Sequence, residues 1–88
     1  MGAQVPEVQQ ITVTVRYFSV LRERRGREEE TVSVAPGTTV QDLYAGLFPA
    51  GPEGRLPVLY ALDQSYARPD DVLTDGVEVA FIPPLGGG

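Results

Sequence analysis

Two short runs of alternating apolar and polar residues, Ile11 to Phe18 near one end and Val77 to Ile82 near the other, bracket a single helix-spaced apolar stripe. Alternation with period two places successive side chains on opposite faces of an extended chain, so each run reads as a half-buried strand. Ile11, Val13, Val15 and Tyr17 face one way, and Val77, Val79 and Phe81 do the same in the second run. A chain of 88 residues has room for one core, so the two apolar faces must be buried against the same partner.

The sequence between them supplies that partner. Val40, Leu43, Tyr44 and Leu47 recur at i, i+3, i+4 and i+7, one stripe of an amphipathic helix that Pro49 stops. Thr39 stands at the N-cap with Asp42 three residues on, where it answers the exposed amides and the dipole of the first turn. Glu30 to Val34 alternates as a second strand, adding Val32 and Val34 to the core, and Val20 to Arg25 forms a helical turn closed by Gly26. Pro49 to Pro57 is a loop by composition; Val58 to Leu62 is a strand that Asp63-Gln64 turns into a short partner, Ser65 to Ala67. Thr74-Asp75-Gly76 is the turn into the last strand. This order predicts an α+β fold of the β-grasp type, a mixed sheet with one main helix packed on one face. The expected division is a leader over residues 1–9, a domain over 10–83 and a C-terminal tail over 84–88.

Composition removes most side-chain chemistries. The chain holds no cysteine, no histidine and no lysine, since all seven basic residues are arginine. Thiol nucleophiles, imidazole bases, lysine Schiff bases and Cys/His zinc sites are therefore excluded within it. Asp70-Asp71 and Glu28-Glu29-Glu30 lack the spacing of a calcium loop, so no metal site is expected. A net charge of −5 argues against nucleic acid, and Arg22, Arg24, Arg25 and Arg27 are neutralised by Glu23, Glu28, Glu29 and Glu30. No apolar run nears the roughly 18 residues of a membrane span, and no secretory signal is visible, so a cytoplasmic location is expected.

What remains is the end of the chain, Ile82-Pro83-Pro84-Leu85-Gly86-Gly87-Gly88. Pro83 and Pro84 have no backbone N–H to give a sheet and hold φ near the polyproline value, so pairing should stop there. Five residues from Pro84 to Gly88 reach at most about 17 Å at roughly 3.3 to 3.6 Å each. Glycines without Cβ suit a narrow channel, and the terminal carboxylate of Gly88 is the group best placed for chemistry.

These features together resemble the MoaD/ThiS family, whose MoaD branch comprises the ubiquitin-like sulfur-carrier small subunits of molybdopterin synthase. The resemblance rests on Tyr60-Ala61-Leu62-Asp63-Gln64-Ser65-Tyr66, on Leu73 to Pro84 with its strand running into Pro83-Pro84, and on Gly87-Gly88 two residues later. It extends to the first strand and the helix after Thr39. Family members usually carry Asn at the position of Asp63 and Ser or Thr at that of Gly86. The resemblance implies that a MoeB-type activating enzyme uses ATP to adenylate Gly88, that sulfur transfer then makes a thiocarboxylate, and that Pro83, Pro84, Leu85, Gly86 and Gly87 insert into a MoaE-type large subunit. There the sulfur passes to a cyclic pyranopterin. The chain would be a cosubstrate, without catalytic activity or bound cofactor of its own.

If the first and last strands run parallel at the sheet centre, Phe18, Ala80 and Ile82 share the face opposite the core, near the base of the tail. With Leu59 or Tyr60 they would form a docking patch for the partner, unless the Val20-Leu21 segment covers it. Three other readings stay open: a sulfur carrier for thiamine, cysteine or tRNA thiolation, a protein modifier joined through Gly88, and an interaction domain with an inert tail.

Overall fold

The computed structural model describes residues 9–52 and 54–84. Along the chain lie β1 (Ile11–Tyr17), α1 (Ser19–Arg25), β2 (Glu29–Val34), α2 (Val40–Leu47), β3 (Leu59–Leu62), β4 (Ser65–Ala67) and β5 (Glu78–Ile82). The five strands form one sheet in the order β2-β1-β5-β3-β4. β1 and β5 pair in parallel at its centre, with Val15 opposite Val79 and Tyr17 opposite Phe81, and the remaining pairs are antiparallel. The mixed sheet expected from the sequence is present, and the first and last strands are the central pair.

One face of the sheet carries the core. Val13, Val15 and Tyr17 of β1 and Val79 and Phe81 of β5 close against Val40, Leu43 and Tyr44 of α2, with Leu21, Phe48, Leu73 and Val77 completing the cluster. The Tyr44 ring stands 4.9 Å from that of Phe81, and Phe48 meets Tyr17 edge-on at 5.7 Å. Ile11, Val32, Val34 and Leu47, all expected inside, pack at its margin half-buried. Phe48, just past the helical stripe, is a core residue that the period alone did not select.

Local chemistry sets the element ends. Thr39 and Asp42 form a reciprocal capping box, in which the Asp42 amide donates to Thr39 Oγ1 at 3.1 Å and the Thr39 amide donates to Asp42 Oδ2 at 3.4 Å. Two further amides of that first turn, Val40 and Gln41, donate to the carbonyls of Asp71 and Pro69 at 2.9 and 3.1 Å. The loop before β5 thus supplies acceptors that the helix cannot find within itself. α1 is a second, shorter helix, seven residues long, closed as expected by Gly26 in the left-handed region with its N–H on the Arg22 carbonyl.

The β3–β4 connection is a two-residue turn with positive φ at both Asp63 and Gln64 (49° and 70°), the geometry that matches the twist of paired strands. Asp63 also reaches sideways: its Oδ1 accepts from the Glu78 amide at 3.0 Å, while its own amide donates to the Glu78 carbonyl at 2.8 Å. A carboxylate oxygen accepts there as an Asn amide oxygen would, so the departure at Asp63 leaves the turn contact intact. No helix among the described residues is long and apolar enough to cross a membrane.

Candidate functional site

Strand pairing lays out the outer face of the sheet in rows. Arg16 is opposite Ala80, Ala80 is opposite Ala61, and Ala61 is opposite Tyr66, so these four side chains run across β1, β5, β3 and β4 on one side. One step along, Ile82 is opposite Leu59, and Phe18 follows Tyr17 at the end of β1, beside Ile82. Because the two alanines sit mid-row between larger neighbours, the face is hollow there. The result is a groove of about 520 Å³ walled by Phe18, Ile82 and Pro83 at one end and by Tyr66 and Gln64 at the other, with Ala61 and Ala80 as its floor.

The groove is mainly apolar and open, with Arg16 and Glu78 as its charged members. Phe18 is 41% exposed, Leu59 58% and Tyr66 77%. Neighbouring exposed aromatics and aliphatics at the end of a sheet are what a partner surface covers. The Val20-Leu21 segment does not cover it, because Ser19 takes a positive φ of 52° and turns the chain sharply after Phe18. Leu21 is thereby sent into the core, fully buried, while Phe18 stays on the outer face.

Phe18, Ala80 and Ile82 are therefore brought together, as the parallel arrangement of β1 and β5 required. Of the two alternatives at β3, Leu59 is on this face and Tyr60 is not. Tyr60 is opposite Phe81, packs its ring 6.0 Å from those of Phe81 and Tyr44, and belongs to the core side. Sequence reasoning missed Tyr66 and Ala61. The signal was present in the hairpin: a two-residue turn at Asp63-Gln64 pairs Leu62 with Ser65 and hence Ala61 with Tyr66.

A part-buried polar cluster secures the β1 end of the groove. Glu30, its side chain 8% exposed, accepts from Tyr17 Oη at 3.0 Å and pairs with Arg25 and Arg27. The Arg25 guanidinium also stands 5.8 Å from the centre of the Tyr17 ring. This ties α1, β1 and β2 together one residue before Phe18. Burial, reinforced by the hydrogen bond to Glu30, pushes the Tyr17 phenol up to about 12, so it stays neutral and donating at physiological pH. Arg25 and Arg27 of the arginine run thus serve to balance Glu30.

β5 ends at Ile82, and Pro83 and Pro84 follow outside the ladder, as two residues without a ladder donor must. The start of the tail is thus at the mouth of the groove, with Pro83 part of its wall. Leu85, Gly86, Gly87 and Gly88 lie outside the described residues, as do residues 1–8 of the leader. The described residues supply an open groove beside the start of the tail, and the group assigned from sequence as reacting lies beyond them.

Residues 15–88 match the model of the ThiS family. The chain is 41% identical over 81 residues to the molybdopterin synthase sulfur carrier subunit of Chlamydomonas reinhardtii, covering 86% of this chain and 98% of that one. The Caenorhabditis briggsae protein of the same name is 34% identical over 83 residues, with 89% and 99% covered. Among solved structures, SAMP1 from Haloferax volcanii superposes with a TM-score of 0.70 at 25% identity, over 88% of this chain and 99% of that one.

Proposed function

The chain belongs to the ThiS family, and from that membership we propose that it is the sulfur-carrying small subunit of a molybdopterin synthase. The observation that carries the proposal is the groove: an open apolar face whose wall continues directly into the residue pair that begins the Gly-rich tail. Such a surface can hold a partner at the point from which the tail departs. Residues 10–83 then act as the docking domain and 84–88 as the reacting arm.

A terminal carboxylate, with a reference pKa of about 3.3 to 3.7, is ionised at neutral pH and is a poor acyl donor. In this reading a MoeB-type enzyme binds ATP and the chain end together, the Gly88 carboxylate oxygen attacks the α-phosphate, and pyrophosphate leaves. Hydrosulfide from the sulfur source next attacks the acyl carbon, AMP leaves and the sulfur proton is released, so the terminus is left as a thiocarboxylate with sulfur in place of one oxygen. The thiocarboxylate then gives that sulfur to a cyclic pyranopterin inside a MoaE-type large subunit. ATP is the activating enzyme's substrate, and this chain needs no cofactor and no side-chain nucleophile. Ordering the arm costs about 1 to 2 kcal/mol per residue, so the domain face, chiefly Phe18, Tyr66 and Ile82, supplies the affinity that offsets it. The need for ATP in the activation step supports a cytoplasmic place for the chemistry.

The test is reconstitution. The protein is incubated with ATP, a MoeB-type enzyme and a sulfur source, and its intact mass is measured. The expected product gains the mass of one oxygen-to-sulfur exchange at Gly88 and makes molybdopterin once a MoaE-type subunit and the pyranopterin are added. An unmodified mass under conditions that activate a known carrier refutes the proposal. The likeness to SAMP1, of the small archaeal modifier proteins, supports a second reading in which Gly88 is joined to lysines of other proteins. Higher-mass adducts in extract that disappear on deleting Gly88 would favour it.

A further inference from the structure

The docking groove is not wholly apolar. Arg16 stands in the middle of β1 on the outer face, opposite Ala80, and its Nη1 lies 3.2 Å from Glu78 Oε2 on the neighbouring strand. The contact is single-pointed, one N–H of the five that a guanidinium carries, and the Arg16 side chain is 47% exposed against 28% for Glu78. The rest of the groove lining presents mainly carbon, from Phe18, Ala61, Ala80, Ile82 and the Tyr66 ring, with Ser19 and Gln64 as its other polar side chains. At that exposure the remaining Arg16 donors are open to solvent in the free protein. A partner that covers the groove removes that water, and a cation with unmet donors is then held in an apolar enclosure, which is expensive.

We propose that Arg16, held in place by Glu78, is a specificity-determining residue of the docking face, and that the large subunit covering the groove sets a hydrogen-bond acceptor, a carboxylate or a main-chain carbonyl, against the guanidinium edge that Glu78 leaves free. This rests on the docking role assigned above. A partner of complementary shape but wholly apolar surface would be rejected, because it would strand the charge without replacing its water. Glu78 keeps the wall near neutrality and aims the guanidinium, so one sheet face combines apolar anchors at its end with a polar selector further in.

The test is the affinity of the purified MoaE-type large subunit of the same organism for wild type and for Arg16→Met, Arg16→Lys and Phe18→Asp, each checked for an unchanged far-UV spectrum. Loss of a charge-assisted hydrogen bond predicts at least about tenfold weaker binding for Arg16→Met, with Arg16→Lys between it and wild type. Phe18→Asp should abolish binding. If Phe18→Asp abolishes binding while Arg16→Met binds as well as wild type or better, the selector role of Arg16 is overturned and the docking face stands. If Phe18→Asp itself leaves affinity unchanged, the docking face is wrong and the role of Arg16 falls with it.

Discussion

Tyr66 should outweigh Phe18 in binding the large subunit, although Phe18 is the residue that sequence pattern singles out. An aromatic side chain buries about 150 to 250 Å² when fully enclosed. Only the part still in water can contribute to association, and Phe18, at 41% exposed, has already spent more than half on its own fold. About 60 to 100 Å² is left, equivalent to about 1.5 to 2.5 kcal/mol at 25 cal/mol per Å². Tyr66, at 77% exposed, keeps about 115 to 190 Å², or about 3 to 5 kcal/mol before the hydroxyl and incomplete coverage are discounted. Neither residue is in the core cluster, so truncation should leave the fold intact. By titration calorimetry, Tyr66→Ala is expected to weaken binding about 30-fold or more and Phe18→Ala about tenfold, in line with the weight of aromatic anchors at interfaces. Should Phe18→Ala prove the more damaging of two equally stable variants, exposed area does not rank the contributions and the groove is covered in another way.

Three more outcomes follow from particular contacts. Tyr17 has its phenol raised to about 12 by burial and the Glu30 hydrogen bond, so the folded state favours the protonated form. The stability this contributes is fully present below pH 10 and is lost as pH rises towards 12, about 2 to 3 kcal/mol for a shift of about two units. Urea unfolding between pH 8 and 12 should show that decline and Tyr17→Phe should flatten it, with a residual slope from Tyr44 and Tyr60, which burial also raises; an unaltered slope in Tyr17→Phe would exclude Tyr17 as its source. At the β3–β4 turn, Asp63→Asn keeps both the acceptor for the Glu78 amide and tolerance of positive φ, whereas Asp63→Ala loses both. Chemical denaturation is expected to place Asp63→Asn within about 0.5 kcal/mol of wild type and Asp63→Ala about 1 to 3 kcal/mol below it, the sum of a lost exposed hydrogen bond and the strain of Ala at positive φ. Deleting Gly87-Gly88 should preserve the melting temperature and most large-subunit binding while eliminating sulfur transfer, and a truncated chain that still forms molybdopterin would place the chemistry elsewhere.

Much of the fold was legible because its signals are local. The alternation in β1 and β5, the stripe from Val40 to Leu47, the Thr39 and Asp42 cap, the Gly26 stop and the proline brake after Ile82 each act over a few residues. Even the adjacency of Phe18, Ala80 and Ile82 followed once the terminal strands were taken as parallel neighbours. What failed did so where two segments had to be set against each other. Choosing between Leu59 and Tyr60 needed the register of β3 on β5, and a slip of one residue would have exchanged them. Tyr66 needed the hairpin register as well. The acceptors at Pro69 and Asp71 for the α2 amides come from a loop with no pattern of its own.

By itself, then, the sequence determined which segments extend, which coil, where each stops, and that no side chain here can serve as thiol, imidazole or amine. Those properties depend on dihedral preference, period and functional-group inventory, all carried by residues near one another in the chain. Only the tertiary structure decided that Ala61 and Ala80 make a trough, that Tyr66 is its most exposed wall, and that Arg16 meets Glu78 across 62 positions of sequence. These depend on the relative register of strands drawn from opposite ends of the chain, which packing of the whole core selects and no local preference encodes.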